Sequence, residues 1–466
     1  MGDQNNLALG IDIGTTSVKV CIVNTDTNEI IAKHGKDTQA NVPSDQGTDG
    51  NKQDVPKIIS ALNTCVAKLN KDLLRQIKKI GVCGQMHGVM LFNHTSEAPA
   101  WDRHERDGAL IRYDVVQKNV SNLYTWQDSR CDSEFMANLP TAQSHLATYT
   151  GYGIATLFWM AKNKPDKLQR YNCASTIQDF AVMMLCNLQK PITSVQLAAS
   201  WGYFDCKNSS WNLEILETGG FPMNLLPDVV ESGQVAGELA DNWHTIPKGT
   251  PVGVALGDLQ CSVLSTIENF KDAVLNISTS AQMTYVVENF EPTNDAPVVR
   301  PIEYFPYFDG KYLAVAASLN GGNALATFVK TLQQWCMELG FPVPQAKVWD
   351  KLMELAASAE TDMVIQPTIL GERYMPDLTA SATNITIGNI GLGQVFRSMC
   401  QGLLHNLHGM MPRDTLIEAE ITRIVGNGSG LSRNKVLQQE VLQLYQLPLV
   451  FTSGGDAAKG AAMAMK

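Results

Sequence analysis

Residues 10–20 read Gly10-Ile11-Asp12-Ile13-Gly14-Thr15-Thr16-Ser17-Val18-Lys19-Val20. Apolar stretches from Leu7 to Asp12 and from Ser17 to Val23 flank a Gly-Thr-Thr turn, a pattern that predicts two β-strands joined by a tight loop. Glycine lets a ligand come close to the backbone, and the N–H groups and hydroxyls of Gly14, Thr15 and Thr16 can then cradle phosphate. Lys19, on the second strand, can add a point charge. Asp12 at the mouth of the turn would repel phosphate directly, so it makes sense with Mg²⁺ or water between them. The alternative is a plain hairpin turn. A dinucleotide fingerprint is disfavoured, because G-x-G-x-x-G does not occur in this segment.

Working outward, Asn24 to Asn28 is polar turn material and Glu29 to Ala32 reads as a third strand. Val55 to Leu69 has helical spacing at Ile58, Ile59, Leu62, Val66 and Leu69, and Ile77 to Val82 is a further strand. Three strands, a helix and a strand predict a mixed sheet, in contrast to strict βαβ alternation. A similar opening begins near Pro251. The apolar run Val252 to Leu256 reaches Gly257-Asp258, then come a strand at Val274 to Ile277, a Ser278–Ser280 turn, and Met283 to Val287. This echo predicts two units, 1–247 and 248–466, divided in the segment HTIPKGTP, with a cleft between their facing acidic strand ends. Nearer the C-terminus, Leu392 to Met410 reads as a long helix and Ile421 to Val425 as a strand entering Gly426-Asn427-Gly428-Ser429-Gly430. Ser432 is the expected N-cap of a helix from Arg433 to Tyr445, and Asp456 opens a last helix to Met465.

The chain has 466 residues, which suits two domains of moderate size, and its 44% hydrophobic content is that of a globular protein. A net charge of -10 disfavours nucleic acid and anionic membrane as partners. An anionic ligand must then be held by local donors and metal. The 10 cysteines show no CxxC spacing, so reduced, buried thiols are expected. The start, MGDQNN, has neither a basic lead nor an apolar stretch, so no secretory leader is expected, and a cytoplasmic location follows. Apolar runs such as Ile154 to Ala161 fall short of a membrane span.

Three further motifs carry chemistry. In GVALGDLQCS, Asp258 ends a buried strand, where a carboxylate can take the proton of an attacking hydroxyl; an N-cap role for the helix that follows is compatible with this. In VCGQMHGVM, Gln85 and His87 bracket Met86 between two glycines, a loop suited to a polyol, although a lone histidine is more often structural. TWQDSR, Thr125 to Arg130, mixes aromatic, amide, carboxylate and guanidinium groups as sugar sites do; the alternative is a surface loop with an Asp–Arg pair.

At these residues the sequence resembles the FGGY carbohydrate kinases, relatives of hexokinase, actin and the heat-shock ATPases, over nearly the whole chain. GIDIGTTSVK looks like the family's first phosphate loop, NISTSAQ stands at the second, GQMHG and TWQDSR are similar to the sugar segments, and GDLQ to the segment of the catalytic aspartate. SLNGGNALATF and GNGSGLSRN resemble the segments lining adenosine, and GERYMPD the G-E-R-x-P loop. The resemblance implies an α/β fold of two ribonuclease H-like (actin/hexokinase-type) domains with mixed sheets around an interdomain cleft. The first would bind sugar and the second nucleotide.

It also implies a small-molecule ketose and ATP as substrates, Mg²⁺ as cofactor and Asp258 as base. Gly14, Thr15, Thr16, Lys19 and Thr279 would hold phosphate. Gln85, Met86, His87, Trp126, Asp128, Asp258 and Gln260 would meet sugar, and Gly322, Gly428, Ser429 and Asn434 adenosine. Asp12, through water, and Asp258 would face the metal. The segments AASWGYFD, FPYF and TILGER carry the likeness further, to transfer onto the terminal hydroxyl of the seven-carbon ketose sedoheptulose, with xylulose or ribulose as the alternative acceptor and a catalytically silent sensor as an alternative of another class. The second loop departs from the family's G-T-S-G, since Ser278 and Ala281 stand where glycines are usual.

Overall fold

The computed structural model describes residues 6–106, 109–452 and 454–465. The N-terminal segment on which the absence of a leader was read lies, except for Asn6, outside them.

The opening stretch forms β1 (Leu7–Ile13) and β2 (Ser17–Asn24), paired antiparallel, and β3 (Glu29–Asp37) continues antiparallel from β2. All seven residues of β1 are buried, which is why it carries no polar alternation except at Asp12. Helix α1 (Val55–Ala67) covers one face with Ile58, Ile59, Leu62 and Val66. Its N-terminus is fixed by Asp54, whose carboxylate accepts from Lys57 N at 2.9 Å. β4 (Ile77–Gly84) then runs parallel to β1. Emptying one core position, for example Ile11→Ala, would cost about 2–5 kcal/mol.

The sheet takes its remaining strands from beyond residue 230. These are β5 (Val235–Glu238), β6 (Pro251–Gly253) and β7 (Leu256–Gly257), in the order β5-β6-β4-β1-β2-β3 with β7 alongside β4. The division expected at 247/248 therefore falls inside this sheet. HTIPKGTP reads as a linker because it is polar and holds Pro and Gly, yet it joins two antiparallel partners, β5 and β6. The chain leaves the sheet through helix α2 (Asp258–Thr266).

The second sheet starts at β8 (Asp272–Ile277) and β9 (Ala281–Val287), with β10 (Ile302–Pro306) and β11 (Tyr312–Ser318) beyond them. Helices α3 (Gly322–Glu338), α4 (Gln345–Ala357) and α5 (Leu392–Met410) follow, then β12 (Arg423–Asn427), α6 (Ser429–Arg433), α7 (Lys435–Tyr445) and β13 (Leu449–Phe451). The order is β10-β11-β9-β8-β12-β13. The two sheets repeat one plan. A hairpin, β1–β2 or β8–β9, is extended antiparallel by β3 or β11 and flanked on its other side by parallel strands, β4 and β6 or β12 and β13. The true counterpart of the opening strand is thus β8, not the run at Val252. Each sheet has its own apolar core, and the fold is the two-unit ribonuclease H-like α/β architecture.

The last helix, α8 (Ala457–Ala464), returns from the second unit to lie on β1, β2 and β4 beside α2. Small residues make this possible. A Cβ at Gly10 would stand 1.8 Å from Ala458 O, and one at Gly81 1.9 Å from Ala461 O. Two helices thus carry the chain between units, α2 outward and α8 back. The expected cap Ser432 is also corrected. The chain makes a short turn of helix at Ser429–Arg433, and Asn434 caps α7, accepting from Val436 N at 3.0 Å and Leu437 N at 3.2 Å. No helix among the described residues is long and apolar enough to cross a membrane.

Candidate active site

The two hairpin turns face one cavity of about 690 Å³ between the units. Its walls include Asp12, Gly14, Thr15, Thr16, Lys19 and Thr279, as well as Met86, His87, Trp126, Asp258, Gly428 and Ser429.

The first turn is held rigidly from behind. Gly14 N donates to Ser17 O at 3.0 Å, and Thr38 N donates to Thr16 O at 3.0 Å. Gln53 Nε2 donates to Thr15 O at 2.6 Å, and Trp126 Nε1 donates to Thr15 Oγ1 at 3.0 Å. In register on the hairpin, Asp12 stands opposite Lys19, with Nζ to Oδ2 at 3.9 Å.

The second turn repeats this geometry with neutral groups. Asn276 occupies the position of Asp12 and pairs with Gln282, whose Oε1 accepts from Asn276 Nδ2 at 3.1 Å. Ser278 N donates to Ser280 O at 3.0 Å, while Gly322 N and Asn323 N donate to Ser278 O and Thr279 O at 2.9 and 3.0 Å. A Cβ at Gly322 would lie 2.2 Å from Ser278 O. Gly322 therefore buttresses the turn from behind and does not line the cavity. The missing family glycines at Ser278 and Ala281 are accommodated because neither residue needs a positive φ.

Beside the second turn lies Gly428. Its φ of +85° and the 2.3 Å that would separate a Cβ from Ile277 O both require glycine. Asn427 Nδ2 donates to Ser262 Oγ on α2 at 3.3 Å, tying this wall to the helix that starts at Asp258. Asn434, grouped with these residues by sequence, is buried; it caps α7 and donates to Cys400 Sγ at 3.5 Å, away from the cavity.

Asp258 begins α2, where the helix N-terminus favours its anionic form. Leu259 N donates to its Oδ1 at 2.7 Å. Burial nevertheless lifts its pKa to about 6, against the lowering effect of that hydrogen bond and of Lys19. Asp12 rises to about 7, first through burial and next through the charge of Asp258. A buried carboxyl whose pKa a neighbouring carboxylate pushes up further suits a divalent cation. No group of three or more His, Cys, Asp or Glu residues among those described forms a metal cage. The pair fits magnesium of the kind that arrives with a nucleotide and takes its remaining ligands from phosphate and water.

The far end of the cavity is aromatic and polar. His87 adopts φ 73°, unusual for a side chain of its size, and Nδ1 lies 2.7 Å from Ser200 O. A carbonyl only accepts, so Nδ1 carries the hydrogen and Nε2 keeps a free lone pair. Burial and the Arg373 charge lower the His87 pKa to about 3, so the ring stays neutral and can accept from a hydroxyl. Three residues expected to meet sugar stand behind this surface. Gln85 Nε2 donates to Gln53 Oε1 at 3.0 Å, in the layer supporting Thr15. Asp128 is held by Arg130 Nε and Nη2 at 2.6 and 2.7 Å and accepts from Asn51 N at 2.8 Å. Gln260 is buried, donating to Pro306 O at 3.2 Å. Sequence spacing cannot separate residues in the wall from residues one layer behind it.

Other wall residues carried weaker signals. Asn276 and Asn427 sit within NISTSAQ and GNGSG, and Arg373 within GERYMPD, but none was singled out. Glu303 and Phe305 come from β10; Phe305 opens the segment FPYF, while Glu303 precedes it and belongs to no motif.

The profile of the FGGY family of carbohydrate kinases, N-terminal domain, matches residues 7–99 and 106–265. Sedoheptulokinase of Mus musculus is 46% identical over 467 residues, covering 98% of this chain and 97% of that protein. Sedoheptulokinase of Homo sapiens is 45% identical over 469 residues, with coverage of 98% and 97%. Among solved structures, xylulose kinase from Rhodospirillum rubrum superposes with a TM-score of 0.77 at 17% identity, covering 98% of this chain and 89% of that one.

Proposed function

The chain belongs to the FGGY family of carbohydrate kinases, and from that premise we propose that it transfers the γ-phosphoryl group of ATP to the terminal primary hydroxyl of sedoheptulose. The product is sedoheptulose 7-phosphate. The observation that carries the reading is Asp258, a half-buried carboxylate at a helix start, opening on the same cavity as both hairpin turns. Full-length likeness to two sedoheptulokinases supports the choice of acceptor.

The residues act as follows. Turn residues Gly14 to Thr16, with Thr279 opposite, hold the β- and γ-phosphates through N–H and hydroxyl groups. Lys19 adds positive charge beside Asp12. His87, with its free Nε2, accepts from a sugar hydroxyl and fixes the acceptor against Trp126. Asp258 accepts the proton of the terminal hydroxyl as its oxygen bonds to the γ-phosphorus. The bond from that phosphorus to the bridging oxygen breaks, and ADP leaves. Asp12 and Asp258 would hold magnesium, which when bound neutralises phosphate charge. The walls come from both units, so closing them would exclude water, the competing acceptor. The adenosine end would rest on Gly428 and Ser429. The test is ADP formation on adding sedoheptulose to protein, ATP and magnesium, with ¹³C–³¹P coupling locating the new phosphate. Phosphate on the last carbon is expected; absence of sugar-dependent ADP would refute the reading.

A further inference from the structure

The cavity wall can be followed from the turns, past Asp258, to Glu303. Next to Asp258, a Cβ at Gly257 would lie 2.9 Å from Met86 Sδ, so Met86 adjoins the base and His87 follows it. Tyr152 stacks on His87 at 4.2 Å, and Phe305 meets the same ring edge-on at 6.2 Å. Arg373 completes this end, its guanidinium carbon 5.9 Å from the Trp126 ring centre and 5.8 Å from that of Tyr152. Glu303, two residues before Phe305 on β10, lines the same end.

Neither Glu303 nor Arg373 has a task in the transfer itself, and Glu303 is costly to keep there. Glu303 Oε1 is buried without a hydrogen-bond partner, a loss that native proteins tolerate mainly where a ligand or water supplies the partner. Arg373 is near enough to oppose the upward effect of burial on the Glu303 pKa. No ion pair joins them among the described residues; the guanidinium lies over aromatic faces and keeps donors available. The loop carrying Arg373 is fixed by Glu372, whose Oε1 accepts from Ser318 Oγ at 2.6 Å and Asn406 Nδ2 at 2.8 Å.

We propose that Glu303 and Arg373 read the end of the ketose farthest from the reacting hydroxyl, and that this pair sets the sugar length the cavity prefers. The inference rests on the functional reading above and deepens it. With its terminal hydroxyl at Asp258, a heptulose extends past His87 and can donate a hydroxyl to Glu303 while accepting from Arg373. A pentulose anchored in the same way ends two carbons short and leaves both groups unpaired. Sites built to hydrogen-bond a substrate group discriminate strongly against analogues that lack it.

The test is the ratio of kcat/KM for sedoheptulose to that for xylulose in the full-length protein, wild type against Glu303→Gln. The variant keeps the volume and removes the charge. Loss of a hydrogen bond to a charged group is expected to lower kcat/KM on sedoheptulose about 10- to 100-fold, with xylulose changing less than about 3-fold. The KM for ATP should stay at its wild-type value. Arg373→Lys, on a loop, repeats the test without touching the sheet and should narrow the ratio in the same sense. A merely structural role would lower both sugars together. An unchanged ratio in both variants, with wild type preferring sedoheptulose, overturns this assignment alone. A wild type without activity on sedoheptulose overturns the functional reading and this inference with it.

Discussion

Asp258 acts on Asp12 across the cavity they both line: after burial, the charge of Asp258 is the largest influence holding the Asp12 carboxyl up at about 7. One lies in the first hairpin and the other at the start of α2, so the folded chain brings together two carboxyls that repel. Such an arrangement persists when function requires it.

Asp258→Asn should fold and bind ATP but lose turnover by about 10²- to 10⁴-fold, the usual effect of removing a general base. Single-turnover rates with saturating sugar measure this directly. A variant within about threefold of wild type would remove Asp258 from the role of base.

The pH dependence follows from the Asp258 pKa, raised from 3.8 to about 6 by burial. A base must be ionised, so kcat/KM should fall with unit slope below about pH 6. Stability runs the other way. The folded chain holds this proton to higher pH than the unfolded chain, so ionisation opposes folding, an effect absent below the unfolded value of 3.8 and complete above about 6. In metal-free buffer, Asp258→Asn is therefore expected to raise stability by about 1–3 kcal/mol at pH 8 and to leave it nearly unchanged at pH 4. Thermal melts at the two pH values check the sign.

Asp12→Ala should blunt the magnesium response of the rate while leaving calorimetric binding of the sugar alone unchanged. An unaltered magnesium titration would reduce Asp12 to a residue of the turn.

Gly428→Ala combines a positive φ with a Cβ 2.3 Å from Ile277 O. The wall beside the second turn must move. ATP affinity should fall by about 10-fold or more, corresponding to about 1–3 kcal/mol of backbone strain, with sugar affinity retained. Equal loss of both ligands would point to general unfolding.

Much of this site was legible in the sequence because it depends on local pattern. GIDIGTTSVKV names its own hairpin, and GDLQ puts an acidic residue where an apolar strand gives way to a helix. What depends on layering was not legible. Gln85, Asp128 and Gln260 belong to motifs at the site but point their bonds into the layer behind it, and Gly322 and Asn434 serve packing and capping. Glu303 lay hidden because its contacts arise only when β10 of one unit meets Tyr152 and His87 of the other. The boundary was misread for a similar reason: an apolar run at Val252 looks alike whether it opens a second sheet or completes the first.

A competition assay tests the central claim most directly. Wild-type protein, magnesium and limiting ATP are mixed with sedoheptulose, xylulose and ribulose at equal concentration, and the sugar phosphates are weighed by mass spectrometry, so that the heptulose-to-pentulose product ratio equals kcat/KM for sedoheptulose over the sum of the values for the two isobaric pentuloses. The expected result is heptulose phosphate as the dominant product; pentulose phosphate in equal or greater amount would contradict the account.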